Sequence, residues 1–195
     1  MCGRYLIDDD TSSEIELMMM QNTNAGPLSY ARGEIFPTNI APVITQNGMT
    51  AIRWGFPHWK NNSVIINARA ETALEKSMFR KPLLEQRCAI PSAGYYEWTT
   101  ATGKKKKYKY LFKLPQEKIL YMAGMLSFFR DPAGIEYNAF VILTTASTES
   151  VSQIHDRMPV VLMLNELSLW INEIEFAKHV LQRTGPELEF GLSSF

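Results

Sequence analysis

Short apolar segments separated by turn residues are the dominant pattern of this chain. Two of them, 41–46 and 49–54, flank Asn47-Gly48 and predict a tight β-hairpin, because both of those turn residues tolerate a positive φ. Similar segments predict further strands at about 64–66, 88–90, 94–98, 108–114, 119–129, 135–146 and 160–163. Several of these segments are joined by short turns, which favours antiparallel pairing.

Helical patterns occur near both ends of the chain and once in the middle. A capping box at 11–14 predicts a Met-rich helix that ends before Pro27. Further helices are expected at about 72–86, 165–173 and 175–182. Together, the two kinds of pattern predict an α+β fold with a predominantly antiparallel β core.

The composition is that of an ordinary globular domain. The 195 residues are 46% hydrophobic and 21% charged, and no repeat or linker divides them, so we expect one domain over 1–195. Basic and acidic residues number 20 each, which gives a net charge of zero. A nucleic-acid role would therefore need a local patch. The lysines at 104–107 and 109 are either such a patch or a solvated hairpin tip.

Cysteine use and hydropathy indicate the compartment. Cys2 and Cys88 are the two cysteines of the chain, and their spacing signals neither a disulfide framework nor a zinc site. Acidic residues at 8–10 replace the apolar region of a signal peptide, and no apolar run approaches the roughly 18 residues of a membrane span. We therefore expect a cytoplasmic protein without a metal ion or a membrane partner.

Cys2 has distinctive chemistry if it becomes the first residue. Removal of Met1 by methionine aminopeptidase would leave a free amine and a thiol on adjacent carbons, and both groups titrate close to neutrality. An aldehyde could condense with the amine to an imine, after which the thiol could close a five-membered thiazolidine ring. A cysteine near the start of a chain can equally be an inert small hydrophobic residue.

Other candidate residues lie in short segments flanked by aromatic residues or proline. Glu97 follows Tyr95-Tyr96 and precedes Trp98, a setting in which a carboxyl group can act as an acid or a base. His155 precedes an acidic residue and an arginine, and it could also transfer protons. Either residue could instead be structural, Glu97 as a solvated strand residue and His155 as a satisfied buried one.

Three arginines and an aromatic turn could contact nucleic acid. Arg4, Arg69 and Arg157 have planar guanidinium forks that suit phosphate oxygens, although surface salt bridges would explain them equally well. The segment 54–59 contains Trp54, Phe56, Pro57 and Trp59. These side chains either fill the core or form a wedge and platform for bases.

Five segments together resemble the SRAP family of abasic-site-processing proteins. The matching blocks are Cys2-Gly3-Arg4-Tyr5, Trp54-Gly55-Phe56-Pro57, Asn67-Ala68-Arg69-Ala70-Glu71-Thr72, Gly94-Tyr95-Tyr96-Glu97-Trp98 and His155-Asp156-Arg157-Met158-Pro159. They follow the family order from residue 2 to about 164. The resemblance implies a barrel-like or strongly curved β core with flanking helices.

The resemblance also implies a function. Mature Cys2 would crosslink to an abasic site in single-stranded DNA by a thiazolidine, which would protect the site during the DNA damage response. Glu97 would transfer protons, His155 would assist ring opening and crosslink reversal, and Asn67 would orient the sugar. The DNA-binding residues would be Arg4, Trp54, Phe56, Pro57, Arg69, Thr144 and Arg157.

Further properties follow from the same resemblance. They are lyase chemistry from the imine and peptidase-like removal of the protein's own first residue. We also expect a monomer that needs no cofactor and that associates with the nucleoid when DNA is engaged. Two other function classes stay open. An N-terminal-nucleophile amidohydrolase would cleave amides and form no DNA adduct. A noncatalytic single-strand binding module would bind without Cys2 and lose affinity steeply with salt.

Overall fold

A closed β-barrel lies at the centre of the fold in the computed structural model, which describes residues 2–20, 29–61, 63–100 and 107–193. The strands are β1 Arg4–Ile7, β2 Gly33–Ile35, β3 Ile40–Thr45, β4 Gly48–Trp54, β5 Phe56–Pro57, β6 Val64–Ile65, β7 Asn67–Arg69, β8 Arg87–Ser92, β9 Gly94–Thr100, β10 Lys107–Lys113, β11 Leu120–Arg130, β12 Glu136–Ala146, β13 Arg157–Pro159, β14 Val161–Leu162 and β15 Glu189–Leu192. The helices are α1 Asp9–Met20, α2 Ala70–Ala73, α3 Ser77–Glu85, α4 Glu149–Ser152, α5 Leu167–Asn172 and α6 Ile174–Gln182, with a 3₁₀ turn at Leu164–Glu166.

The barrel closes because β12 pairs on both of its edges. Strands β12, β4, β3, β8 and β11 follow one another around the ring, and β11 pairs with β12 again to complete it. The contact between β12 and β4 is parallel, while the other pairings of the ring are antiparallel. Along β12, Phe140 and Ile142 belong to one core cluster and Val141 and Leu143 to another, so the two faces of the strand are buried in different cores.

A second sheet packs on the barrel and shares the first core. Its five strands run in the order β15, β10, β9, β1, β2. Tyr5 pairs with Tyr95 across β1 and β9, and both rings are completely buried. The Tyr5 ring lies 5.1 Å from the ring of Trp54, which belongs to the barrel. This contact joins the two sheets, and the candidate residues lie along their junction.

Helices α2, α3, α5 and α6 cover the other face of the barrel, whereas α1 and α4 pack into the core shared by the two sheets. Trp170 on α5 is fully buried, and its indole N–H donates to the Cys88 carbonyl of β8 at 2.8 Å. The buried Arg87 guanidinium donates to carbonyl groups at the ends of α3 and α5, including Leu83 at 3.0 Å and Ile171 at 2.9 Å. These bonds satisfy helix-terminal carbonyls that would otherwise be left without donors.

Most of the expected architecture is confirmed. The fold is α+β, its sheets are largely antiparallel and its core is a barrel. The hairpin of β3 and β4 is also present, but its register pairs Thr45 with Gly48, so Gln46-Asn47 forms the turn. Gly48, at φ 97°, is the turn-flanking residue with a positive φ, not Asn47. The geometry is therefore that of a type I turn followed by a glycine bulge.

The ends of the chain depart further from expectation. Helix α1 begins at Asp9, because the Asp8 carboxylate accepts the Thr11 amide at 2.9 Å and acts as the N-cap in place of Thr11. Strand β15 follows the last helix and was not expected. The predicted end of the first helix and lysines 104–106 lie outside the described residues, as does the side chain of Lys107.

Gly124 is expected to be essential for barrel packing. A Cβ at this position would lie 2.5 Å from Ile90 Cδ1 and 2.7 Å from the Val141 carbonyl oxygen. Gly124→Ala should therefore lower the free energy of unfolding by about 1–3 kcal/mol, measured by urea denaturation. Gly191→Ala is the matched control, because no atom lies within 4 Å of its added Cβ. Equal stability of the two variants would contradict this packing.

Candidate active site

Cys2 is fully buried directly before β1. Asn67 on β7 donates its side-chain amide to the Cys2 carbonyl at 2.9 Å, and the Cys2 thiol donates to the Arg4 carbonyl at 3.7 Å. Burial and, after it, the Glu97 carboxylate raise the pKa of the Cys2 thiol well above its usual value. The expectation that this thiol is partly ionised at neutral pH is therefore wrong for this arrangement, and its proton must leave during any reaction.

Glu97 and His155 complete a group of four around this position. Glu97 lies on β9 with 3% of its surface exposed, and its Oε2 is 4.0 Å from His155 Nε2. Cys2 lies just before β1, Glu97 on β9, Asn67 on β7 and His155 in the loop before β13. The sequence separates them widely, and the junction of the two sheets brings them together.

Hydrogen bonds orient the His155 ring. Its Nδ1 accepts the backbone N–H of Arg157 at 3.0 Å, which places the proton of the neutral ring on Nε2, the nitrogen that faces Glu97. The Asp156 carboxylate lies 2.8 Å from the same Nδ1. A protonated ring would therefore donate from Nδ1 to Asp156 while Nε2–H still faces Glu97. This arrangement suits a group that gains and loses a proton.

The Arg157 guanidinium is held in place by two neighbours. It forms a bidentate pair with Glu71 at 2.6 and 2.8 Å, and it donates to the Thr144 carbonyl at 2.6 Å. The hydrogen bond from Arg157 lowers the pKa of Glu71. The Thr144 side chain is completely buried, and its backbone carbonyl positions Arg157 in this arrangement. That Thr144 contacts DNA stays a prediction. Arg69 is exposed at the end of β7.

Arg4 lies on the opposite face of the five-stranded sheet from Tyr5. Its guanidinium carbon is 4.4 Å from the ring centre of Phe36 and 5.2 Å from that of Trp98, and its Nη1 donates to Glu34 at 2.9 Å. The buried Lys109 ammonium contacts the same carboxylate at 2.5 Å. This aromatic and ionic setting fixes the direction of the guanidinium. Neither Phe36 nor Glu34 carried a motif that sequence reasoning could detect.

The predicted aromatic wedge is mostly core. Trp54 and Phe56 are both completely buried, and the Trp54 indole donates to the Ile66 carbonyl at 3.0 Å. Both rings therefore fit the core alternative, Trp54 on the barrel strand β4 and Phe56 on β5, which pairs with β6. That either ring contacts DNA stays a prediction. Pro57 is half-buried on β5. Trp59 from the same segment is 75% exposed and lies beneath the Lys60 ammonium at 4.4 Å.

Neither a membrane-spanning helix nor a metal cluster occurs among the described residues. No helix within the described ranges combines the length and apolar character needed to cross a bilayer. Nor do three or more His, Cys, Asp or Glu side chains gather there as a metal site would need.

Fold and site together define an α+β protein in which Cys2 lies near an amide and a carboxylate, with an imidazole facing that carboxylate. The chain belongs to the SOS response associated peptidase (SRAP) family, whose model matches residues 1–190. It is 34% identical over 187 residues to the abasic site processing protein YoqW of Bacillus subtilis, covering 88% of this chain and 80% of that protein.

Two further comparisons give a sequence likeness and a fold likeness. The abasic site processing protein HMCES of Gallus gallus is 32% identical over 151 residues, covering 64% of this chain and 45% of its own. A crystal structure of a Bacteroides thetaiotaomicron protein superposes with a TM-score of 0.79 at 23% identity and covers 98% of this chain and 91% of that one. The likeness to the Bacteroides thetaiotaomicron protein shows a shared fold alone.

Proposed function

We propose that this protein captures abasic sites in single-stranded DNA by a covalent bond to mature Cys2. The observation that carries the proposal is the set of groups around Cys2. Asn67 donates to the Cys2 carbonyl, and the Glu97 carboxylate is close enough to raise the pKa of the Cys2 thiol. His155 Nε2 lies 4.0 Å from that carboxylate. Family membership and the names of the relatives supply the class of substrate. A protein of this kind shields a reactive DNA lesion during the damage response.

The first step joins the protein to the sugar. Removal of Met1 frees the Cys2 amine, which attacks C1′ of the ring-opened abasic sugar. The nitrogen loses two protons in turn, the former carbonyl oxygen gains two and leaves as water, and an imine results. Glu97 is buried and close enough to Cys2 to affect its thiol, so it is suited to move these protons. Asn67, through its bond to the Cys2 carbonyl, fixes the position of the attacking residue.

The second step makes the link durable. The Cys2 sulfur loses its proton and attacks the imine carbon, the C–S bond forms, and the π electrons move to nitrogen, which gains a proton to give a thiazolidine. His155 would open the sugar ring beforehand and assist reversal of the crosslink afterwards. It could also remove a proton from the carbon next to the imine, which would lead to β-elimination and strand cleavage. Cys2, as the nucleophile, would also account for removal of the protein's own first residue.

The DNA strand would be held by charge and stacking. Arg4, Arg69 and Arg157 are the candidate phosphate ligands, with Arg4 and Arg157 already oriented by carboxylates. Trp59 and Phe36 are exposed rings on which bases could stack. A single strand is the favoured substrate because an unpaired abasic nucleotide need not be extracted from a duplex.

The proposal is tested by mixing mature protein with a single-stranded oligonucleotide that carries one abasic site. Mass spectrometry first verifies that Met1 is absent. We expect an adduct that survives denaturing electrophoresis. Matched oligonucleotides with an intact base or with a tetrahydrofuran abasic analogue lack the aldehyde and should give none. No adduct with the true abasic site, or equal adducts with the analogue, would overturn the mechanism, and amide cleavage in place of an adduct would favour an amidohydrolase.

A further inference from the structure

Two tyrosine side chains lie beside the candidate site without a role in the steps above. Tyr5 on β1 and Tyr95 on β9 are direct register partners, so their side chains leave the sheet on the same face. Both residues are completely buried. The Tyr5 ring packs against Trp54 and the Tyr95 ring stacks on Phe112, each at a centroid distance of 5.1 Å. Phenylalanine would fill both positions with the same ring contacts.

The hydroxyl groups are the unusual part of these residues. Neither Tyr5 Oη nor Tyr95 Oη has a hydrogen-bond partner within the described ranges, although both atoms are buried. A buried hydroxyl without a partner destabilises a fold relative to an apolar group of the same shape. Packing therefore gives no reason for tyrosine at these two positions, and a chemical role becomes the better explanation.

Both tyrosines belong to the same buried core cluster as Cys2, which places their side chains near the candidate nucleophile. Burial first, and then the charge of Cys2, raise the pKa of both Tyr5 and Tyr95. Cys88 contributes next for Tyr5, and Glu97 contributes next for Tyr95. Both hydroxyls consequently keep their protons at neutral pH and are available as donors within electrostatic reach of the Cys2 sulfur.

We propose that Tyr95, supported by Tyr5, is a positioning residue whose hydroxyl donates a hydrogen bond to the Cys2 sulfur during ring closure. This role rests on the proposed function. As the S–H bond breaks, its proton passes to the Glu97 carboxylate and the sulfur electron pair forms the C–S bond. The C=N π pair moves to nitrogen, which takes the proton from Glu97 to complete the thiazolidine. Negative charge on sulfur is costly in an apolar interior, and a fixed O–H donor lowers that cost.

The test measures imine and thiazolidine separately in Tyr95→Phe and Tyr5→Phe. Borohydride reduces the imine to a stable amine, so rapid reduction at intervals reports how much imine awaits closure. We expect Tyr95→Phe to slow closure about 10- to 100-fold and to accumulate reducible imine. Tyr5→Phe should have a smaller effect. The pH profile of the closure rate should move to higher pH in Tyr95→Phe, because the thiol then loses its proton less readily.

Tyr121→Phe is the matched control. Tyr121 is also buried, but the charges that raise its pKa after burial are those of Glu14 and Glu117. The Tyr121→Phe variant should therefore close the thiazolidine ring at the wild-type rate. Tyr95→Phe should also unfold at an equal or higher temperature than wild type, which separates lost chemistry from lost structure. Wild-type closure kinetics and pH dependence in Tyr95→Phe would overturn the proposal, whereas absence of any adduct in wild-type protein would overturn the proposed function instead.

Discussion

Mature Cys2→Ala protein is expected to form no denaturant-resistant adduct with abasic single-stranded DNA, yet to be captured on it by borohydride. Alanine keeps the free amine after Met1 is removed, so an imine can still form. It lacks sulfur, so the thiazolidine cannot close and the imine hydrolyses. Electrophoresis with and without borohydride measures both outcomes. Noncovalent affinity should change little, because the Asn67 bond is made to the backbone carbonyl of residue 2.

Cys88→Ala is the appropriate control for loss of a thiol. Cys88 is completely buried on β8 and contacts the barrel core, and burial raises its thiol pKa far above neutrality. The variant should form the adduct as wild type does. A stable adduct in Cys2→Ala would mean that another group makes the bond. Failure of borohydride to capture that variant would mean that the amine is not the first nucleophile.

Local signals in the sequence were sufficient for the hairpin of β3 and β4. Its turn and its alternating side chains lie within fifteen consecutive residues, 40–54. Closure of the barrel could not be predicted in this way. It depends on the parallel contact between Trp54 and Phe140, which are far apart in the chain and carry no pairing signal. The resemblance to a family indicated a barrel-like core, whereas periodicity alone indicated only antiparallel strands.

The grouping of Cys2, Asn67, Glu97 and His155 was suggested by family blocks and then found at one junction. The sequence did not distinguish the aromatic side chains that face the core from those that face solvent. Trp54 and Phe56 are apolar and lie next to Trp59, but only the sheet pairing decides that the first two are buried and the third exposed. An aromatic segment in a sequence suits a core and a stacking surface equally.

Carboxylates that orient the arginines were also not predicted. Glu71 lies within a matching block, yet its bidentate contact with Arg157 joins residues far apart in sequence. Glu34 lies on β2, a short strand that no pattern indicated, and it contacts both Arg4 and Lys109. Acidic partners of this kind are common on any protein surface. Only their geometry shows that they set the direction of candidate phosphate ligands.

Glu97→Gln is expected to reduce the rate of adduct formation by at least about 100-fold, and unlike Cys2→Ala it should also slow capture by borohydride. Glutamine preserves the size of the buried side chain but cannot accept a proton from the amine or the thiol. Both imine formation and ring closure need such a transfer, so both should slow. Single-turnover kinetics with excess protein, with and without borohydride, measure the two steps.

Glu136→Gln is the control for a changed carboxylate. Glu136 is exposed at the start of β12, where it pairs with Arg130, and it should leave both rates unchanged. Thermal unfolding should show that Glu97→Gln remains folded, since a neutral amide is easier to bury than a carboxylate. If Glu97→Gln formed imine at the wild-type rate and slowed only closure, the carboxylate would serve the thiol alone. Wild-type rates in both steps would assign proton transfer to another group, with His155 the next to test because its Nε2 faces the same carboxylate at 4.0 Å.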